Sequence, residues 1–246
     1  MSELLALFAF GPTGWGDELA SGTWVTVRLA LTALPVGLAI GLGAALLKNA
    51  RSRGFRALGE VYGTVFRGLP ELLTIFLVYF GLPRLVSRLI AACEQALGLP
   101  PSGFAADVDA FWAGAIALAL AFGAYASEAL SGAIRSVPAG QREAAEALGL
   151  SPAATFQLVV LPQVVRLALP ALANTWLVLL KDTSLVSVIA LADLTRQANV
   201  AALATRQPFA FYLVACLIYL ALSIASGAVA AALERRAGRG FARTGV

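Results

Sequence analysis

Long uncharged apolar runs alternate with short basic segments along this chain, and that alternation predicts helices that cross a membrane. Leu29 to Leu47, Ala110 to Ser127 and Gln207 to Leu233 contain no charged residue. Each is near the roughly 20 residues that an α-helix needs to span the hydrocarbon core. Two further apolar stretches carry charge: Val61 to Leu89 holds Arg67, Glu71, Arg84 and Arg88, and Leu167 to Leu191 holds Lys181 and Asp182. The expected architecture is all-α: five transmembrane helices at approximately 22–47, 61–90, 110–134, 166–191 and 207–233, in one membrane domain over residues 1–246. Gly37-x-x-x-Gly41 in the first span is expected to let another helix pack closely. Residues 1–20 carry Glu3, Asp17 and Glu18 and no basic residue, so no cleavable signal is expected and the first span itself directs insertion.

Composition agrees and removes most chemistry. Hydrophobic residues make up 59% of the chain and charged residues 13%, against about 45–50% and roughly a quarter in soluble domains. With no histidine and two distant cysteines, Cys93 and Cys216, there is no His-ligated metal, no Ser-His or Cys-His dyad and no disulfide framework. Both cysteines read as inert packing residues. The only lysines, Lys48 and Lys181, each follow leucine, so no GxxxxGK[ST] phosphate loop is present. The expectation is a chain with no catalytic residues, no metal and no cofactor of its own. A membrane enzyme is poorly supported, because Glu71, Glu128 and Asp182 lie on different spans.

Basic residues set the expected orientation. Segment 48–56, segment 135–166 and the tail from Arg235 together hold eleven Lys and Arg, whereas Arg28, Arg84, Arg88, Arg196 and Arg206 make five on the other side. The positive-inside rule then places the N-terminus outside and the C-terminus in the cytoplasm. On this reading the pI near 9.4 reports topology, and nucleic acid is not an expected partner. The external segment 91–109, with Pro100-Pro101, Asp107 and Asp109, reads as a solvated loop, with contact to an external protein as the alternative.

The cytoplasmic segment 136–164 has a pattern of its own. Pro138 suits a first helical turn, Ala144, Ala145, Ala147 and Leu148 favour helix, and Gly149 falls where a left-handed cap is wanted. Ser151-Pro152 then starts a second helix, which Pro162 is expected to stop or kink. Glu143 and Glu146 share a face. Spacing alone leaves open whether this is a plain connector or a helix that docks on a partner. A DNA-reading helix-turn-helix is disfavoured by its single arginine.

Family resemblance separates these readings. Glu143-Ala144-Ala145, Gly149, Val159 and Leu161-Pro162 resemble the EAA loop of ATP-binding-cassette importer permeases, with Val159 where isoleucine is usual. Phe66-Arg67-Gly68-Leu69-Pro70-Glu71-Leu72 is similar to the RGxPxL motif of polar amino-acid permeases. Ala124 to Glu128, Gly132 to Ile134 and Lys181 to Ser187 also match that group. The stretch from Pro208 to Arg236 looks most like the Q-type subunit of histidine/lysine/arginine/ornithine and octopine permeases. The resemblance spans roughly residues 20 to 240. It implies a MetI-like importer permease fold with a cytoplasmic coupling helix in the bacterial inner membrane. It also implies a separate ABC ATPase dimer that uses ATP and Mg, a second permease subunit of the M type, and a periplasmic substrate-binding protein. The implied cargo is a polar, basic amino acid or opine. An autonomous secondary transporter is the competing reading, but five spans do not divide into two matched halves.

Ionisable residues inside spans cost about 2.5–3.5 kcal/mol and usually face a cavity or a partner. Glu128 has no basic neighbour in its own span and is favoured as a pathway residue that meets a cationic substrate. Arg67 and Lys181 are equally open to structural pairing, Arg67 with Glu71 and Lys181 with a nearby carboxylate. Gly68 and Pro70 are expected to break the second span, a break tolerated only inside protein or beside water. Asp182, Asn174 and Thr183 are further pathway candidates, the last two carried mainly by the resemblance.

Overall fold

The computed structural model describes residues 6–12, 14–100 and 108–238. Among the described residues, five helices are long and apolar enough to cross a membrane: α1 (Gly16–Lys48), α3 (Glu71–Leu97), α4 (Ala110–Ser136), α6 (Pro152–Ile189) and α8 (Pro208–Ala237). Three shorter helices connect them: α2 (Arg53–Gly68), α5 (Ala139–Ala147) and α7 (Leu194–Thr205). Pro101, Asp107, Arg239 and Arg243 lie outside the described residues.

Helix α4 is the centre of the bundle, because it offers almost no bulk. Ala113, Gly114, Ala115, Ala117, Ala119, Ala124 and Ala126 are all buried. Such small side chains let backbones approach closely where no water drives helices together. The closest approach is to α1. A Cβ on Gly37 would stand 2.7 Å from the Phe122 ring, and one on Gly41 would stand 2.9 Å from the Ala126 methyl. The glycine pair expected to pack therefore does so, against α4.

The apolar stretch at 61–90 is divided. Helix α2 ends at Gly68, Leu69 and Pro70 are extended, and α3 begins at Glu71. The residue before a proline is pushed away from helical ψ, which fixes the break at this point. Helix α2 folds back along α1 and α4: the Tyr62 hydroxyl donates to the Leu120 carbonyl at 2.7 Å.

Four prolines lie inside spans without stopping them: Pro35 in α1, Pro83 in α3, and Pro162 and Pro170 in α6. Pro162 was expected to end or kink the segment from Ser151, yet α6 runs continuously to Ile189. A π turn over Phe156–Val160 precedes Pro162, and a second over Leu77–Gly81 precedes Pro83. Widening the preceding turn clears the carbonyl that a proline ring would strike and absorbs its missing N–H. Cys93 and Cys216 are both exposed on the chain and pack in no core, which corrects the expectation for them.

At one end of the bundle Asp193 is fully buried and caps α7, accepting from the Arg196 amide at 2.9 Å and the Thr195 amide at 3.3 Å. Burial pushes its carboxyl up from 3.8 to about 6, although the amides act in the opposite direction. At the other end α5 closes in a Schellman turn: the Leu150 amide donates to the Ala145 carbonyl, and the Gly149 amide to the Glu146 carbonyl. Gly149 has φ +87, the left-handed cap that its position predicts. Ser151 caps the following helix by accepting from the Ala154 amide.

Candidate functional site

Two groups of ionisable side chains lie inside the bundle, and they differ in charge balance. The first forms where α1, α2 and α4 meet. Lys48 is almost fully buried at the end of α1, and its Nζ donates to Glu128 Oε1 at 2.7 Å and to Ser127 Oγ at 3.0 Å. Arg67, at the end of α2, brings Nη2 to 2.5 Å from the same Glu128 oxygen, while its Nε donates to the Gly63 carbonyl at 3.0 Å. One carboxylate is thus held by two cations from two other helices. Gly59 and Gly63 make this possible, since a Cβ on Gly63 would stand 2.6 Å from Lys48 Nζ. Below the clamp, the Asn49 amide donates to Ser131 Oγ at 2.9 Å and Arg135 donates to Asn49 Oδ1 at 3.3 Å.

This arrangement corrects one expectation and adds partners to another residue. Arg67 pairs with Glu128 and not with Glu71. Glu128, favoured as the group that meets substrate because its own span offers no cation, receives both cations from neighbouring helices. Lys48 read as part of the basic rim, and its role was missed. The available signal was a lysine closing an apolar span opposite Gly59-x-x-x-Gly63.

The second group sits at the α2–α3 break. Glu71 opens α3, and its Oε1 accepts from the Tyr125 hydroxyl of α4 at 3.4 Å. Asp182 of α6 lies within electrostatic range of both Glu71 and Tyr125. Glu71 and Asp182 are partly exposed and Tyr125 is exposed. Among the described residues, no salt bridge involves Glu71, Asp182 or Lys181. Lys181 is exposed and lacks the ion-pair partner expected for it. Asn174 is also exposed on α6. Thr183 is fully buried and spends its hydroxyl on the Leu180 carbonyl at 2.7 Å. The structure therefore brings Glu71 and Asp182 together, and leaves Thr183 in a packing role.

A third feature protrudes from the bundle. On α5, Glu143, Ala144 and Glu146 are exposed, whereas Ala145 is buried. Leu148, just past the helix, is 85% exposed. An apolar side chain held out at a turn needs a partner surface to cover it, and sequence reading passed over it as a helix former. The Arg142 guanidinium donates to the Ile134 carbonyl at 3.3 Å and ties α5 to the end of α4. Leu161 and Pro162 lie in α6.

Residues 37–239 match the family described as binding-protein-dependent transport system inner membrane component. The octopine transport system permease protein OccQ of Rhizobium meliloti is 39% identical over 97% of this chain and 98% of its own length. The arginine ABC transporter permease protein ArtQ of Escherichia coli K12 is 42% identical over 90% of this chain and 95% of its own. Among solved structures, an amino acid ABC transporter with histidines superposes with a TM-score of 0.74 at 32% identity, covering 90% of this chain and 95% of that one. The inward-facing MetNI methionine ABC transporter shares the fold at a TM-score of 0.69 and 15% identity, covering 90% and 96%.

Proposed function

The chain belongs to the family of binding-protein-dependent transport system inner membrane components, and from that premise we infer that it is the permease subunit of an ATP-binding-cassette importer for basic amino acids or opines. It sits in the bacterial inner membrane. The named substrates of its relatives, octopine and arginine, support the cargo class. The observation that carries the pathway assignment is the pair Glu71 and Asp182, two partly exposed carboxylates at a helix break with no ion-pair partner. In a poorly screened interior, a cation passing such a pair is attracted by both. Tyr125 positions Glu71, and Lys181 and Asn174 lie on the exposed side of α6 where the substrate's carboxylate would be met.

On this reading the end carrying α5 faces the cytoplasm and the end carrying α7 faces outward, as the distribution of Lys and Arg supports. Helix α5 is the coupling helix. Glu143 and Glu146 offer charge and Leu148 an apolar knob to a separate ATPase dimer, which binds ATP and Mg. The Schellman turn at Gly149 and the Arg142 bond to α4 make α5 a rigid lever. This chain supplies no catalytic group. Its five spans form half of a pathway, and a second permease subunit of the M type completes it. A periplasmic binding protein delivers substrate at the outer end. ATP binding then shifts the pair between two packings that differ by a few kcal/mol.

The test is ATPase activity of the complex in lipid with its binding protein, across arginine, histidine, lysine, octopine, glutamine and glutamate. Stimulation by the cationic members is expected, and stimulation by glutamine or glutamate alone contradicts the cargo class. Glu143→Lys should leave the subunit inserted while ATP hydrolysis no longer drives uptake. Normal uptake in that variant would sink the coupling role.

A further inference from the structure

A cavity of about 500 Å³ opens between α1, α6 and α8. Its wall is aliphatic and aromatic, with Leu34 and Leu38 from α1, Leu172 and Trp176 from α6, and Val229 and Leu233 from α8. The volume lies within the roughly 300–1,000 Å³ range of ligand cavities. Ser226 is the one hydroxyl-bearing residue on the wall, so an amino acid here would leave its charges unpaired. The cavity is therefore not a station for the transported substrate. Helix α8 is also the least buried of the five spans.

One end of this apolar slot is edged by cations. Leu233 is the last lining residue of α8, and Arg236 follows one turn later on the same face, with Arg235 beside it. Both arginines are exposed. Leu169 is the first lining residue of α6, and Arg166 precedes it by one turn. Because α6 and α8 are consecutive spans and cross in opposite directions, these arginines share one end. Glu234 lies in the same turn and leaves that rim net positive. A dry slot in the membrane with cations at one mouth has the shape and charge of a lipid site.

We propose that this cavity holds an acyl chain of one anionic phospholipid whose phosphate group lies against Arg235 and Arg236. The lipid fills the space between α8 and the α1–α6 face and braces the least buried span. The site is independent of the transported substrate.

The assembled importer, purified in mild detergent and supplied with phosphatidylglycerol or phosphatidylcholine, is examined by native mass spectrometry. Phosphatidylglycerol should be retained in preference to phosphatidylcholine. Arg235→Ala and Arg236→Ala should each weaken that retention about fivefold, the factor expected for one basic side chain near an anionic surface. Ala225→Trp, which places an indole in the slot, should abolish it. Equal retention of the two lipids, or unchanged retention in both arginine variants, overturns the proposal. So does a cysteine cross-link that places a partner permease helix across Leu172 and Val229. The arginine positions are exposed and outside the packed core, so they decide the matter even if Ala225→Trp fails to assemble. Retention is read without substrate or ATP, so its failure leaves the transport reading untouched.

Discussion

Glu128 and Asp182 are both carboxylates set well inside apolar helices, yet their surroundings are opposite in charge. Glu128 lies within 2.7 Å of both Lys48 and Arg67, and one of those cations is almost fully buried. Asp182 lies within electrostatic range of a second carboxylate, Glu71, and of Lys181 beside it in the chain, and forms no salt bridge among the described residues. Depth in the membrane does not distinguish them. What does is whether neighbouring helices bring compensating charge. Glu128, neutralised in this way, joins three helices, whereas Glu71 and Asp182 receive no cation from a neighbouring helix; on the proposed reading that leaves them open to an incoming cation. The clamp also accounts for the glycines of α2 where it crosses Lys48, since a Cβ on Gly59 or Gly63 would strike that side chain.

Breaking the clamp should have the largest effect on the fold. Lys48→Met leaves Glu128 with Arg67 alone and removes the cation from a sealed position, and loss of one buried partner costs about 3–5 kcal/mol. With part of Glu128 exposed, the low end is expected, read as a lower thermal midpoint in detergent. Glu128→Gln added to Lys48→Met should restore part of the loss. Unchanged stability of Lys48→Met would remove the distinction between the two sites.

Gly149→Val is the next largest. A β-branched residue at φ +87 costs about 1–3 kcal/mol and should open the Schellman turn, so the ATPase subunits should no longer co-purify. Full co-purification would contradict the coupling assignment of α5.

Asp193 offers a third carboxylate, buried and held by backbone amides, and loss of its cap should be the smallest of these effects. Its folded value of about 6 stands above the ordinary 3.8, so the folded chain binds more protons between those values. The contribution of this carboxyl to stability should be greatest below about pH 4, fall as pH rises to about 6, and stay flat above. Asp193→Asn keeps a capping side chain and should remove that slope with little change at pH 5. Asp193→Ala loses the cap and should cost about 1 kcal/mol. A slope that persists in Asp193→Asn assigns it to another group.

Much of this was legible in the sequence because it is local. The presence of five spans follows from the long apolar runs, the Gly68–Pro70 break from proline's effect on its neighbour, and the Gly149 cap from its place after Ala147 and Leu148. The Glu128 clamp was not legible, because Lys48 lies 80 residues away and only packing of α1 on α4 brings them together. The same holds for Arg67, whose sequence neighbour Glu71 falls beyond the break and turns toward Tyr125. Leu148 was misread because helix propensity says nothing about what covers a side chain. Pro162 left a stop or a kink open, and the π turn before it is what lets α6 run on.

Arginine-dependent ATPase turnover of the lipid-embedded complex with its binding protein, measured for Asp182→Asn beside the parent complex, separates the two carboxylate sites. Asp182→Asn should keep the parent's thermal midpoint within about 0.5 kcal/mol of equivalent stability, while arginine stimulation falls about tenfold, the equivalent of ~1.4 kcal/mol of lost attraction. Undiminished stimulation by arginine in Asp182→Asn would contradict the assignment of Glu71 and Asp182 to the cation's path.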